Sequence, residues 1–89
     1  MIVKAIKIDK KDNVLVLLED ANSGDVIECD GSSIELLEDI KFAHKVALRD
    51  IDEKDPVFKY GEEIGYALKA IRKGGWIHDH NMGCDRGRK

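Results

Sequence analysis

The stretch Ala47 to Gly61, ALRDIDEKDPVFKYG, returns 20 residues later as Ala67 to Asn81, ALKAIRKGGWIHDHN. In this register Ala lies over Ala, Leu over Leu, Arg49 over Lys69, Ile51 over Ile71 and Val57 over Ile77, which marks an internal repeat. The repeat decides the fold class, because the second copy is ambiguous when read alone. Ile64, Ala67, Leu68 and Ile71 fall at i, i+3, i+4 and i+7, one face of a helix. Gly65 weakens a helix there, and the first copy argues against it. Pro56 does not fit a helix interior, and Asp52 to Asp55 is a polar turn leading into the alternating strand Val57-Phe58-Lys59-Tyr60. By analogy the second copy is a turn at Arg72 to Gly75 followed by a strand from Trp76 to His80.

Upstream the same texture continues. Val3 to Ile8 alternate, Lys10-Lys11-Asp12-Asn13 supply turn residues, and Val14 to Leu18 read as a buried strand. Asn22-Ser23-Gly24-Asp25 is a turn before a short strand Val26 to Cys29, and Asp30-Gly31-Ser32-Ser33 is a further turn. Short strands at this spacing predict an all-β, β-rich domain. With 89 residues the chain makes one domain, since smaller pieces would bury too little apolar surface. We place that domain at residues 1–81, with a flexible charged tail over 82–89.

The longest apolar run, Val14 to Leu18, is far short of the roughly 18 residues a membrane span needs. No signal-peptide apolar region is present at the N-terminus, so the expectation is a soluble, cytoplasmic protein without membrane partners. Cys29 and Cys84 form no C-x-x-C pair, in keeping with reduced thiols. A net charge of −3 leaves no broad cationic surface, and Arg86, Arg88 and Lys89 alone do not make a nucleic-acid site.

His78 and His80 are one residue apart on the predicted strand, so both imidazoles point to one face with Trp76. There they can converge on a metal or a substrate carboxylate, or simply be surface residues; the first copy carries Phe58 and Tyr60 at these positions. Trp76 either walls such a site or caps the core edge. Adding Cys84 gives H-x-H-x3-C, a ligand set suited to zinc or iron, although Cys84 stands in a Gly-rich tail. His44 is placed before a strand Lys45 to Leu48 as a general base or carboxylate contact, with Lys45 beside it to neutralise an acidic substrate. In Lys59-Tyr60-Gly61, Tyr60 is expected to pack and Gly61 to allow a turn.

The strings HKVALRDI, KYGEEIGYALKAIRKG and WIHDHN resemble the small N-terminal SAF domain of the altronate and galactarate dehydratase family, a domain of β-clip fold. The resemblance runs from Ala43 to Asn81, and Asp12 to Ile27 looks like the family's opening strands. Two glycines of the family pattern are replaced, by Ala43 and by Lys54. If the first site needs φ > 0, Ala43 is strained, whereas Lys54 in a type I turn costs little.

The resemblance implies a small subunit of a metal-dependent hydro-lyase acting on a sugar acid, inactive alone and completed by a separately encoded large catalytic subunit. It implies His44, His78 and His80 as catalytic residues, Lys45 and Asn81 as substrate contacts, and His78 and His80 as ligands of a divalent metal shared with the large subunit. The metal implied is iron, Fe(II), with Mn(II) as the alternative. The small subunit of a sulfolactate sulfo-lyase and a non-catalytic carbohydrate-acid binding or assembly module are the competing expectations.

Overall fold

The structure, a computed structural model, describes residues 1–29 and 31–83. In chain order its strands are β1 (Ile2–Val3), β2 (Ala5–Ile6), β3 (Val14–Leu17), β4 (Val26–Cys29), β5 (Ser32–Glu35), β6 (Lys45–Ala47), β7 (Pro56–Lys59), β8 (Glu62–Ala67), β9 (Trp76–Ile77) and β10 (Met82–Gly83). The described residues contain no helix, and nothing in them is a helix long and apolar enough to cross a membrane. Three sheets result, ordered β1-β4-β5, β2-β3-β6-β9 and β10-β8-β7. The ambiguous segment after Gly61 is strand β8, as the repeat required.

The four-stranded sheet is the middle of the molecule. Leu15, Leu17 and Val46 point into one apolar cluster with Ile27, Ile34 and Leu36; Val14, Ala47 and Ile77 point into another with Val57 and Ala67. An uninterrupted apolar run is what a strand covered on both faces demands, which accounts for the complete burial of β3. The run stops one residue earlier than expected, because Leu18 begins a turn and is largely exposed.

The internal repeat is real and occurs more often than the sequence comparison suggested. Among the described residues one unit appears four times, beginning Leu18-Glu19-Asp20-Ala21, Leu37-Glu38-Asp39-Ile40, Leu48-Arg49-Asp50-Ile51 and Leu68-Lys69-Ala70-Ile71. The units pair about isolated antiparallel bridges, Ala21 with Ile40 and Ile51 with Ile71. Each bridge exchanges two backbone hydrogen bonds of 2.8–2.9 Å. Three residues after each bridge residue the backbone enters the left-handed region, at Gly24 (φ 90°), Ala43 (φ 72°), Lys54 (φ 74°) and Gly74 (φ 89°). With Asp25, His44, Asp55 and Gly75 each donating N–H to the carbonyl three residues back, these are type II turns. A carboxylate before the bridge residue caps the opposite turn: Asp20 Oδ1 accepts from Phe42 N, Asp39 Oδ1 from Ser23 N and Asp50 Oδ1 from Lys73 N, all at 2.8 Å. In the fourth unit this position is Ala70, which brings no acceptor.

This geometry corrects the expectation for Lys54. It stands not in a type I turn but at a left-handed position, with the same steric cost as Ala43.

β7 and β8 are joined by a two-residue loop, Tyr60 (φ 60°) and Gly61 (φ 79°), between the paired Lys59 and Glu62; positive φ at both makes it type I′. Tyr60 does not pack in the core as expected. It is about half exposed at 51%, with the Lys59 ammonium 4.8 Å from its ring centroid. The buried pair Asp12 and Asn13 pins this hairpin to the middle sheet. Asn13 Nδ2 donates to Pro56 O at 2.9 Å and its Oδ1 accepts from Phe58 N at 2.8 Å, so a side-chain amide does the work of a neighbouring strand. Asp12 Oδ1 accepts from Gly61 N at 2.8 Å and its Oδ2 from Asp9 N at 3.1 Å. In the hairpin's own sheet β10 pairs with β8 on the side away from β7, so ordered strand extends past Asn81.

Two predictions follow from the turns and the pin. Ala43→Gly and Lys54→Gly should each raise stability by up to about 1 kcal/mol, because a left-handed backbone costs a β-carbon roughly that much; higher urea midpoints in both would show it, and unchanged or lower ones would count against the strain. Burial alone would push the Asp12 carboxyl up, but hydrogen bonds from the backbones of Gly61, Asp9, Tyr60 and Ile8 overcome this and hold it below its ordinary 3.8. The unfolded chain therefore binds this proton more tightly than the folded one. The stabilisation is complete above the unfolded value and disappears as pH falls through the lower folded value. Asp12→Asn should cost about 1–3 kcal/mol at neutral pH and flatten the loss of stability in acid, both read from urea titrations at a series of pH values.

Candidate functional site

The site is built where the second and fourth turn units deliver their chains into adjacent strands. β6 and β9 pair antiparallel with Val46 opposite Trp76 and Lys45 opposite Ile77. His44 is the last residue of the second turn. Its N–H donates to Lys41 O at 3.2 Å and its carbonyl accepts from Leu17 N at 3.0 Å, so its backbone is fixed from both sides before the side chain makes a contact. Trp76, half-buried, packs at the margin of the first apolar cluster, and its N–H donates to Glu38 Oε2 at 3.0 Å.

Around this indole stand all three histidines of the chain. Trp76 Nε1 donates to His44 Nδ1 at 3.1 Å, with the two rings 5.5 Å apart. His78 stacks on Trp76 at 5.4 Å with 11° between planes and meets His44 at 5.2 Å. His80 lies 5.0 Å from Trp76. Trp76 is thus the hub of the cluster.

The route taken by the last two histidines differs from the expected strand. β9 ends at Ile77, and a turn closes from His78 to Asn81, with Asn81 N and Met82 N donating to His78 O at 3.1 and 2.9 Å. Asn81 causes the break. Its side chain is buried, its Oδ1 accepts from His78 N at 3.0 Å, and its Nδ2 donates to Trp76 O at 2.8 Å. A side-chain amide that pairs with the backbone in this way replaces a strand ladder by a turn. Period two therefore accounts for Trp76 and His78 sharing a face, while His80 reaches the indole by the turn. Asn81 acts in the structure as the latch of that turn.

Lys45 is held apart from the cluster. Alternation along β6 sends it to the face of Ile77, away from His44 and Val46. Burial there pushes its ammonium below the usual 10.5; Lys59 adds repulsion and Asp79 opposes it. The structure accordingly brings together His44, Trp76, His78 and His80, and sets Lys45 and Asp79 on the neighbouring face.

Beside the indole runs an open groove of about 310 Å³. Leu37, Glu38, Lys69, Arg72, Trp76 and His80 are among its walls, so two cations border the His80 side of the cluster. Sequence reasoning missed this groove. The fourfold unit aligns Glu38 with Lys69, but what brings the second unit against the fourth is the fold itself, with Leu37 N donating to Gly74 O at 3.1 Å, so the sequence held no signal for it. A comparable depression of about 330 Å³ at the β4–β5 hairpin is lined by Glu28, Cys29, Gly31, Ser32 and Ser33 and offers neither imidazole nor cation. Cys84, the third member of the H-x-H-x3-C reading, lies outside the described residues. Among the described residues no group of three or more His, Cys, Asp or Glu side chains is placed to hold a metal ion. On these residues alone a divalent cofactor does not fit.

Comparison with known proteins gives this surface its context. The chain is 49% identical over 76 residues to an altronate dehydratase of Bacillus subtilis, covering 85% of this chain and 15% of that protein. It is 40% identical over 74 residues to a galactarate dehydratase (L-threo-forming) of Escherichia coli, covering 83% of this chain and 14% of that one. Against a (2R)-sulfolactate sulfo-lyase subunit alpha of Paracoccus pantotrophus the identity is 40% over 63 residues, 68% of this chain and 94% of the relative. The chain thus spans about a seventh of the dehydratases and nearly the whole of that sulfo-lyase subunit. The model of the altronate/galactarate dehydratase SAF domain matches residues 3–85, a span that holds all four turn units and every member of the histidine cluster, and the chain belongs to that family.

Proposed function

We propose that this chain is the small subunit of a hydro-lyase that removes water from a sugar acid of the altronate or galactarate type. The observation that carries the reading is the gathering of His44, His78 and His80 around Trp76, on a domain 40–49% identical to parts of dehydratases for those acids. The grooves beside the cluster are open and the match covers 14–15% of the dehydratases, which supports a large catalytic subunit that completes the site.

Dehydration breaks the C2–H and C3–O bonds. A base takes the proton α to the carboxylate, the C3 hydroxyl leaves as water after gaining a proton, and the resulting enol becomes the keto acid. The carbon acid is weak, so donors that hold the carboxylate and the charge developing on it lower the barrier. On this chain the imidazoles of His78 and His80 are the groups to which the proton transfer is assigned. His44 is the contact for an anionic oxygen, and Asn81 serves substrate by fixing the turn that carries the two histidines. Lys45, its side chain on the opposite face of β6 from His44, is set apart from the cluster and brings to this reading only the long-range pull of its charge. A divalent ion, Fe(II) or Mn(II), belongs to this proposal only as a group held by the large subunit, and no step assigned to this chain runs through it.

A second reading has its own support. The match to the Paracoccus sulfo-lyase alpha subunit covers 94% of that protein, so a small subunit eliminating sulfite from a sulfonated hydroxy acid is the alternative. The two readings share a carboxylate, an α-proton and a leaving group on the next carbon, and differ in the group expelled.

The test is reconstitution with a large dehydratase subunit lacking its own SAF domain, assayed on altronate, galactarate and sulfolactate. Keto-acid formation should require both chains, and His78→Ala or His80→Ala should lower turnover by about 100-fold or more with the unfolding midpoint nearly unchanged. Sulfite release without dehydration would favour the second reading. Turnover by the large chain alone, or histidine variants at the parental rate, would refute the proposal.

A further inference from the structure

The hydrogen bond between Trp76 and His44 fixes more than a distance. An indole N–H donates and never accepts, so His44 Nδ1, 3.1 Å from Trp76 Nε1, must offer its lone pair there. A neutral imidazole has one proton and one such lone pair. With the lone pair at Nδ1, the proton is on Nε2. We propose that Trp76 is a positioning residue that holds His44 as the Nε2–H tautomer, so that His44 presents a hydrogen-bond donor to an anionic oxygen of the substrate and has no lone pair for a proton or a metal. In its substrate class this inference rests on the function proposed above.

The arrangement is over-determined from both ends. Trp76 is held at its backbone N–H by Glu38 and at its carbonyl by Asn81, and its ring is stacked on His78. His44 is held through its backbone by Lys41 and Leu17. The backbone bonds place the two residues, and a rotation of either ring would break the ring contacts with His78 at 5.4 and 5.2 Å. Three neighbouring imidazoles therefore have unlike roles: His44 gives a fixed donor, and His78 and His80 are left for proton transfer. What a fixed Nε2–H recognises best is a carboxylate or a developing oxyanion; the adjoining groove sets Lys69 and Arg72 against one carboxylate, Glu38, which already accepts from the Trp76 backbone N–H.

The decisive measurement is made on the isolated full chain and needs no partner. With ¹⁵N-labelled protein at about pH 8, above the ordinary histidine value of about 6.5, long-range ¹H–¹⁵N spectra should show His44 Nε2 protonated and Nδ1 bare. A scalar coupling across the hydrogen bond should join Trp76 Nε1 to His44 Nδ1. In Trp76→Phe the tautomers should mix. A protonated Nδ1 in the parent, absence of the coupling, or an unchanged Nε2–H tautomer in folded Trp76→Phe would each overturn the proposal; the coupling in the parent decides the matter even if that variant does not fold. In the reconstituted enzyme His44→Gln, which keeps a donor, should stay about tenfold to a hundredfold more active than His44→Ala, and equal loss in both would also overturn it. Should the reconstituted enzyme turn over none of the three acids, the function proposed above fails while the spectra still decide the tautomer.

Discussion

A left-handed residue three places after a bridging apolar residue is the constraint from which this molecule is assembled. At Gly24, Ala43, Lys54 and Gly74 it reverses the chain tightly enough for two turn units to exchange hydrogen bonds across Ala21 and Ile40, and across Ile51 and Ile71. Each clasp leaves the chain heading into a strand of a new sheet, so short strands of two to six residues suffice where a longer sheet would otherwise be needed. Two of these positions are occupied by residues with a β-carbon. The backbone hydrogen bonds of the turns hold that strain in place, helped at Ala43 by the capping carboxylate of Asp20; the Lys54 turn, opposite Ala70, has no such cap.

The site is a by-product of the same geometry. His44 ends the second unit and Trp76 follows the fourth, and the pairing of β6 with β9 sets these two exits side by side. One exit presents an imidazole, the other an indole, and Asn81 then bends the chain so that two more imidazoles return to the same ring. Glu38, from the second unit, closes the arrangement by accepting from the backbone N–H of Trp76.

Much of this was legible in the residues, and what was not has identifiable causes. The 20-residue repeat was visible because Ala-Leu-x-x-Ile survives in both copies, and it turned a helical periodicity into a strand. The first pair escaped notice because its bridge residues are unlike, Ala21 against Ile40, and its units are 19 residues apart instead of 20. The histidine face was read from period two, which holds for Trp76 and His78; His80 obeys a different rule, since a side-chain amide three residues after His78 outcompeted the strand. The contact between Trp76 and His44 spans 32 residues and depends on the register of two strands, which neither composition nor spacing encodes. Lys45 was grouped with His44 by adjacency in the chain, and adjacency in a strand means opposite faces.

The middle sheet has a consequence for how the chain comes apart. β3 supplies Leu15 and Leu17 to one apolar cluster and Val14 to the other, while Asn13, at its start, carries the hairpin of the third sheet. Neither half can open without stripping cover from a strand that the other half also uses. The molecule is therefore built as a single cooperative unit in spite of its repeated units, unlike a solenoid, whose repeats contact only their neighbours and can fray one at a time. A weakness introduced at a remote turn is felt at the histidine cluster as a change in the population of the whole folded chain.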